Sequence, residues 1–265
     1  MLSRVLFPTD LSSYSKAILC YLPDFKKVGV EEIDVLFVIN TNKISTVSGG
    51  IDIEKYIESE TREAEKSLSG IVKLIESQGI KSKVIKPFPV GDPVSEILKY
   101  SENYDLIAIG SRGRGIIKEI FLGSVSEGVI RKSKVPVFVF KFKVAGNVCV
   151  KCHPNLFERV LVAYDFSKHS EKALRYARYV VEKSNGNLYV VHAPENGKEV
   201  EIEDAEVIIR KGTPAKVILG VAEEINATSI FIGSRGLNPL ESIILGSTSD
   251  VVIRRANVPV FVCRE

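Results

Sequence analysis

Residues 110–124 read GSRGRGIIKEIFLGS, and residues 233–247 read GSRGLNPLESIILGS. Both stretches hold a Gly-Ser-Arg-Gly loop, then nine residues, then a Gly-Ser pair. Each copy lies between two short apolar runs, at 105–110 and 135–140 in the first copy and at 229–233 and 258–263 in the second. A strand, a glycine-rich loop, a helix start and a second strand place backbone N–H groups around a phosphate. The repetition predicts two phosphate-binding domains related by duplication.

The composition is that of a globular protein. A chain of 265 residues is long enough for two domains of about 130 residues, each with its own core. The net charge of +3 is too small to favour nucleic acid or an anionic membrane as the main partner. No apolar run approaches the roughly 18 residues of a membrane span, and the first residues lack a signal-peptide pattern. We therefore expect a cytoplasmic protein.

The first half alternates apolar runs with helical patterns. The predicted strands lie at 4–10, 34–39, 83–88 and 105–110, and the predicted helices at about 15–22, 53–78, 93–102 and 124–132. The strands are continuously apolar, which predicts a parallel sheet covered by helices on both faces. Right-handed crossovers then make a doubly wound α/β sheet, whose ligands bind at the carboxyl ends of the strands.

The second half repeats this order. We predict domains at 1–143 and 157–265, joined by a linker at 144–156 in which Gly, Asn and Pro interrupt the periodicity. The two domains differ in length, because the first-strand aspartates are 155 residues apart but the glycine loops only 123. The missing 32 residues fall between strands two and three, where the first half has its long helix. We expect the partner half or another subunit to cover that face.

The loops and helix starts supply candidate phosphate ligands. Gly110 and Gly113 let the backbone approach a ligand closely, because no Cβ intervenes. The free N–H groups of a helix that starts at Gly123, and the hydroxyls of Ser124 and Ser126, suit phosphate oxygens. The corresponding groups of the second half belong to Gly233, Gly236, Gly246, Ser247, Thr248 and Ser249.

Charged residues complete the candidate sites. The pattern lacks the lysine of GxxxxGK[ST], so it is not a Walker loop, and Arg112 and Arg235 are the candidate positive charges. Asp10 and Asp165, each at the end of a strand, suit ribose hydroxyls. Mg²⁺ on Asp10 is a weaker alternative.

The histidine and cysteine residues are candidates for catalysis, redox chemistry or metal binding. His169 and His192 have no partner at motif spacing, so we predict no catalytic residue. Cys149, Cys152 and His153 match a haem attachment pattern, a redox pair or half a zinc site, but no second ligand pair follows and we predict no metal site. A tight turn explains a single glycine pair, whereas two complete copies favour a ligand.

The combination of GxxG, nine residues and G[ST] after strand four, an Asp ending strand one and a Val-Pro-Val last strand resembles the universal stress protein family. The resemblance covers nearly the whole chain as two tandem domains. It implies a five-stranded parallel α/β sheet of the adenine nucleotide alpha hydrolase-like type in each half. It also implies that the last strands pair antiparallel, either in a homodimer or within one chain, where such pairing hides two sheet edges.

The resemblance further implies that each half binds ATP or AMP across strands one and four. The matching positions of the first half are Thr9, Asp10, Val38, Gly110, Gly113, Gly123, Ser124, Val125 and Ser126. Those of the second half are Tyr164, Asp165, Ala193, Gly233, Gly236, Gly246, Ser247, Thr248 and Ser249. Ala193 stands where valine is usual, which widens the base pocket, and the absent helix leaves the second pocket more open.

Three functions remain open at this point. The first is a stress or signalling protein in which adenine nucleotide changes an interface, with slow ATP hydrolysis at most. The second is an enzyme of phosphoryl or nucleotidyl transfer that uses the same glycine loops. The third is a redox or metal sensor built on Cys149 and Cys152.

Overall fold

The computed structural model describes residues 2–41, 53–111, 122–145, 148–151, 155–194, 201–235 and 245–264. Five residues named above, Arg112, Gly113, Gly236, Cys152 and His153, therefore lie outside the described part of the chain.

The first half contains six strands and five helices among its described residues. In chain order they are β1 (Arg4–Pro8), α1 (Ser13–Lys16), α2 (Leu22–Lys27), β2 (Glu32–Leu36), β3 (Ile39–Asn40), α3 (Ile53–Ser77), β4 (Val90–Gly91), α4 (Pro93–Ser101), β5 (Leu106–Gly110), α5 (Ser124–Lys132) and β6 (Val137–Phe140). A 3₁₀ turn at Ala17–Tyr21 joins α1 to α2, so the helix predicted at 15–22 is longer and interrupted. Pro23 explains the interruption, because it has no N–H to continue the helix and is tolerated only in a first turn.

A hairpin links the halves where a linker was predicted. Its strands are β7 (Phe142–Ala145) and β8 (Val148–Lys151), and β8 packs against α1 and the 3₁₀ turn. The second half then contains β9 (Arg159–Ala163), α6 (Lys168–Ser184), β10 (Asn187–His192), β11 (Glu206–Ile209), α7 (Pro214–Glu224), β12 (Ser229–Gly233), α8 (Ser247–Arg255) and β13 (Val260–Cys263).

One sheet of nine strands runs through both halves. Its order is β11-β10-β9-β12-β13-β6-β5-β1-β2, parallel within each half. The halves join where β13 pairs antiparallel with β6, with Val260 opposite Val139 and Phe261 opposite Phe138. The predicted α/β parallel-sheet fold is confirmed, and so is the pairing of the last strands within one chain.

Residues 81–84 pair irregularly with the outer edge of β2, in the position of a fifth strand of the first half. The N–H groups of Ile33 and Val35 donate to the carbonyls of Lys81 and Lys83, each at 2.9 Å. The strand predicted at 83–88 is thus replaced by isolated bridges over 81–84. Pro87 and Pro89 contribute to this difference, because proline has no N–H for a ladder.

Aromatic side chains form a core that crosses the junction of the halves. The rings of Phe138 and Phe261 lie 5.4 Å apart, and those of Phe231 and Phe261 stack at 4.6 Å. All three side chains are at most 1% exposed. Because β6 and β13 are neighbours, the two halves bury these rings together and share one apolar layer.

At the edge of the sheet formed by β11, the structure differs from the expectation that the first half covers the place of the missing helix. β11 lies at the edge opposite the first half, so the partner half does not cover it. The halves instead meet between α2 and α6, where the Tyr179 hydroxyl donates to the Val28 carbonyl at 2.9 Å. At β11 itself, Val207 is half-buried and Ile209 is 45% exposed.

Across the described ranges, no helix combines the length and the apolar character needed to span a membrane.

Candidate ligand-binding cleft

A cleft of about 290 Å³ opens at the carboxyl ends of three neighbouring strands of the first half, β5, β1 and β2. All eight predicted positions of this half that the structure describes line it: Thr9, Asp10, Val38, Gly110, Gly123, Ser124, Val125 and Ser126. Nine further lining residues were not predicted: Pro8, Ser15, Leu36, Phe37, Asn40, Glu60, Pro93, Ile97 and Ile109. This location agrees with the rule that open parallel sheets bind ligands beyond their strand ends.

The first turn of α5 forms one end of the cleft. Gly123 occupies the N-cap position with φ −62° and ψ 145°, and no side chain caps the helix. By contrast, α1, α4 and α6 are capped by Ser12, Asp92 and Ser167. Among the described residues, the N–H groups at the start of α5 thus have no capping side-chain oxygen, and the helix dipole adds positive potential there.

Ser126 holds α5 against β5. Its hydroxyl donates to the Gly110 carbonyl at 2.7 Å, and the Gly123 N–H donates to the Ser111 carbonyl at 2.9 Å. A serine hydroxyl has one proton, so in this arrangement Ser126 offers a ligand only its backbone N–H. The expectation that its hydroxyl donates to a phosphate is wrong here, whereas the Ser124 side chain is exposed.

The end of β1 holds Asp10 in a fixed orientation. Its Oδ1 accepts a hydrogen bond from the Ser12 N–H at 3.0 Å and lies 2.9 Å from the Ser15 hydroxyl. Leu11 has a φ of 61°, a left-handed conformation that side chains other than glycine rarely adopt. Phe166 repeats it in the second half with a φ of 64°. Such backbone strain is common at functional sites. Because it occurs in both halves, the backbone after Asp10 and the backbone after Asp165 have the same conformation.

The β2 end of the cleft is mostly apolar and includes one carboxylate. Leu36, Phe37 and Val38 line it along the strand end, and Phe37 packs edge-on against Phe88 with centroids 5.6 Å apart. Glu60 reaches this end from α3, which packs on β2 and β3. Periodicity predicts α3 itself, but it does not show which side chains of the helix reach the cleft, so spacing arguments miss Glu60.

The second half repeats the framework of the phosphate end. Ser249 donates to the Gly233 carbonyl at 2.7 Å, and the Gly246 N–H donates to the Ser234 carbonyl at 2.8 Å. Gly246 is the N-cap of α8, again without a side-chain cap. The Ser167 N–H donates to Asp165 Oδ1 at 3.0 Å, as Ser12 does to Asp10. In the first turn of α8, Ser247 is exposed and Thr248 is half-buried, and Arg235 lies half-buried in the loop after β12.

The other end of the second site differs in chemistry. Aromatic residues replace smaller ones: Tyr164 stands in the place of Thr9, and Phe166 in the place of Leu11. The Phe166 ring lies 5.0 Å from the Tyr164 ring and 5.2 Å from the His192 ring. His192 Nδ1 lies 2.8 Å from the Tyr164 carbonyl. Ala193 follows at the position of Val38, and no helix is described between β10 and β11.

The environment of the tyrosine beside this site favours its neutral form. Burial, then the charges of Glu171 and Asp165, raise the pKa of Tyr164 above its ordinary value, so a phenol that is already neutral near pH 7 is also neutral in more alkaline solution. A neutral phenol does not repel an anionic ligand.

The cysteines show no assembled site within the described part of the chain. No group of three His, Cys, Asp or Glu residues there has the arrangement of a metal site. Cys263 is buried, and burial raises its thiol pKa to about 12. Cys20 is exposed, contrary to its apolar sequence surroundings.

Comparison with known proteins identifies the family. The model of the universal stress protein family matches residues 1–141 and 195–264, and the chain belongs to that family. It is 36% identical over 159 residues to universal stress protein MJ0577 of Methanocaldococcus jannaschii, covering 54% of this chain and 97% of that protein.

Two further comparisons extend over more of the chain. The crystal structure of a universal stress protein from Archaeoglobus fulgidus DSM 4304 superposes with a TM-score of 0.82 at 49% identity, covering 100% of this chain and 99% of that one. Universal stress protein Rv2005c of Mycobacterium tuberculosis is 27% identical over 202 residues, which are 65% of this chain and 66% of that protein. The first of these covers both halves, so the joined arrangement of this chain occurs in a solved relative.

Proposed function

We propose that the cleft of the first half binds an adenine nucleotide, ATP or AMP. The supporting observation is that eight residues predicted from the motif and from the family resemblance, spread over more than a hundred positions of sequence, line one cleft. In this proposal the phosphate lies at β5 and α5, the ribose at Asp10 just after β1, and the base beside Val38 after β2, in the order of the strands.

The phosphate end is suited to an anion without a lysine. Backbone N–H groups at an uncapped helix start bind phosphate directly, and the helix dipole adds about 0.3–1 kcal/mol. The fixed Asp10 carboxylate then accepts hydrogen bonds from ribose hydroxyls. Arg112 would add charge to the phosphate end, but it lies outside the described residues.

We propose a second, weaker nucleotide site in the second half. Its phosphate end has the same glycine N-cap and the same serine-to-carbonyl bond as the first. Its base end has the Tyr164, Phe166 and His192 rings and no described counterpart of α3. A site that binds phosphate equally but encloses the base less loses affinity for the nucleoside part.

The contact between α5 and α8 supports a regulatory role. Glu127 in the first turn of α5 accepts from Arg254 of α8 at 2.8 Å, and Asp250 in the first turn of α8 lies 3.3 Å from Arg131 of α5. The turn that would hold phosphate therefore also makes one of the contacts between the halves. We infer that occupancy changes this junction, and that signalling rather than turnover is the function.

Titration calorimetry of single-site variants tests both sites. Gly123→Asp and Gly246→Asp place a carboxylate at each N-cap, where Asp is a favoured cap that also occupies the N–H groups and repels phosphate. A Cβ at Gly246 meets its nearest atom, the Ser234 carbonyl oxygen, at 3.4 Å, so the change fits. We expect about two ATP per chain in the wild type and about one in each variant, with the tighter site lost in Gly123→Asp.

Alanine variants at the same positions are the matched controls. Gly123→Ala and Gly246→Ala add the Cβ without the charge and should keep most of the affinity. Full ATP binding by the doubly Asp-substituted, folded protein would refute the site assignment. Titrations with AMP, and with ATP in the presence and absence of Mg²⁺, identify the preferred nucleotide. Rapid phosphate release that Gly123→Asp abolishes would favour the transfer-enzyme alternative.

A further inference from the structure

The cleft of the first half has a carboxylate at the end farthest from α5. Glu60 is half-buried and lines the cleft together with Val38 and Asn40. It comes from α3, which packs on β2 and β3. Because β1 lies between β2 and β5, Glu60 is about two strand spacings, roughly 10 Å, from the phosphate end.

The surroundings of Glu60 place its charge on the protein side of α3. Tyr56 lies one helical turn earlier and packs against the apolar core. Burial, and then the Glu60 charge, raise the pKa of the Tyr56 phenol, so the carboxylate acts on a ring at the sheet-facing side of the helix. Glu60 follows Tyr56 by four residues, so both lie on the same face of α3, and Glu60 lines the cleft from that face.

A carboxylate selects among bases because it only accepts hydrogen bonds. A purine with an amino group at C6 donates to it. A purine with an oxo group at C6 presents an acceptor at that position and carries its donor on N1 instead. A carboxylate that faces the C6 substituent therefore loses its hydrogen bond and is repelled by the oxo group. The Asn40 amide both donates and accepts, so it does not by itself separate the two classes.

We propose that Glu60 is the base-specificity residue of this cleft, accepting a hydrogen bond from the amine of a 6-aminopurine and excluding 6-oxopurines. The inference rests on the proposed nucleotide site and goes beyond it by assigning base selection to a side chain of α3. It also makes the two sites unequal, since no helix is described at this position in the second half. Within the described part of the second half, no helix supplies a counterpart of Glu60.

The test compares ATP with inosine triphosphate, whose bases differ in the C6 substituent and in the proton that hypoxanthine carries on N1. Gly246→Asp serves as the background, so that the first site is titrated alone. We expect that background to prefer ATP roughly tenfold or more, the size of one charge-assisted hydrogen bond. Glu60→Gln, whose amide can donate to an oxo group, should reduce the preference to about twofold, with tighter binding of inosine triphosphate.

Glu63→Gln is the matched control, because it removes the same charge from the same helix at an exposed position. It should keep the preference of the background. A Glu60→Gln variant that binds ATP with the background's preference overturns the assignment of Glu60 and leaves the nucleotide site intact. Failure of the wild type to bind either nucleotide overturns the proposed function and this inference with it.

Discussion

At the scale of single residues, glycine occupies the positions of the repeated motif for different physical reasons. Gly123 and Gly246 have ordinary backbone angles, so the turn does not require glycine there, and what both positions lack is a capping side-chain oxygen. Gly233 is different. A Cβ there would lie 2.7 Å from His169 Cβ and 3.0 Å from the Ser170 nitrogen, both of α6. The packing of α6 on β12 therefore requires a glycine, with or without a ligand.

This difference predicts opposite effects of two Gly→Ala changes. Gly233→Ala should lower the free energy of unfolding by about 1–3 kcal/mol, because backbone atoms of α6 must move. Gly220→Ala, on the exposed side of α7 with no atom within 4 Å of the new Cβ, should raise it by about 0.5–1 kcal/mol. Urea unfolding of both variants measures this, and a stable Gly233→Ala protein would show that α6 tolerates displacement.

At the scale of elements, two serines at the junction of β5 and α5 have different roles, one in stability and one in binding. Ser126 is buried and donates to the Gly110 carbonyl, whereas Ser124, two residues earlier, is exposed at the cleft. Ser126→Ala leaves that carbonyl without its partner and should cost about 1–2 kcal/mol of unfolding free energy. Ser124→Ala should leave unfolding unchanged and weaken ATP binding more than Ser126→Ala does. Equal effects of the two changes on both quantities would contradict the distinct roles.

The same scale explains what the sequence could and could not predict. Periodicity predicted α3, α4, β5 and the glycine-capped helices, because those signals are local. It missed the hairpin of β7 and β8, whose strands are only four residues each. It placed Ser126 at the site but not the partner of its hydroxyl. Glu60 and Pro93 line the cleft through packing between distant elements, which no local pattern encodes.

At the scale of the whole molecule, charge and apolar packing join the halves to different degrees. The ion pairs of Glu127, Arg131, Asp250 and Arg254 have side chains 25–36% exposed, and each such pair contributes at most about 1 kcal/mol. The shared rings of Phe138, Phe231 and Phe261 are buried. We therefore attribute the cohesion of the halves to the aromatic layer. We expect the ion pairs to be the contacts that rearrange when nucleotide binds. A junction that responds to nucleotide needs contacts weak enough to rearrange.

The shared layer predicts that the halves unfold as one unit. Phe261→Ala removes a ring that contacts both β6 and β12, and it should cost about 3–5 kcal/mol. Because the layer is continuous, hydrogen exchange should accelerate in β1 and β5 of the first half as much as in β9 and β12. Arg254→Ala, the control at the same junction, should cost about 1 kcal/mol or less, and less still in high salt. If Phe261→Ala instead exposes only the second half, or produces two separate thermal transitions, the halves are independent domains that merely touch. A single weakened transition means that the antiparallel β6–β13 pair has made one folding unit from two copies.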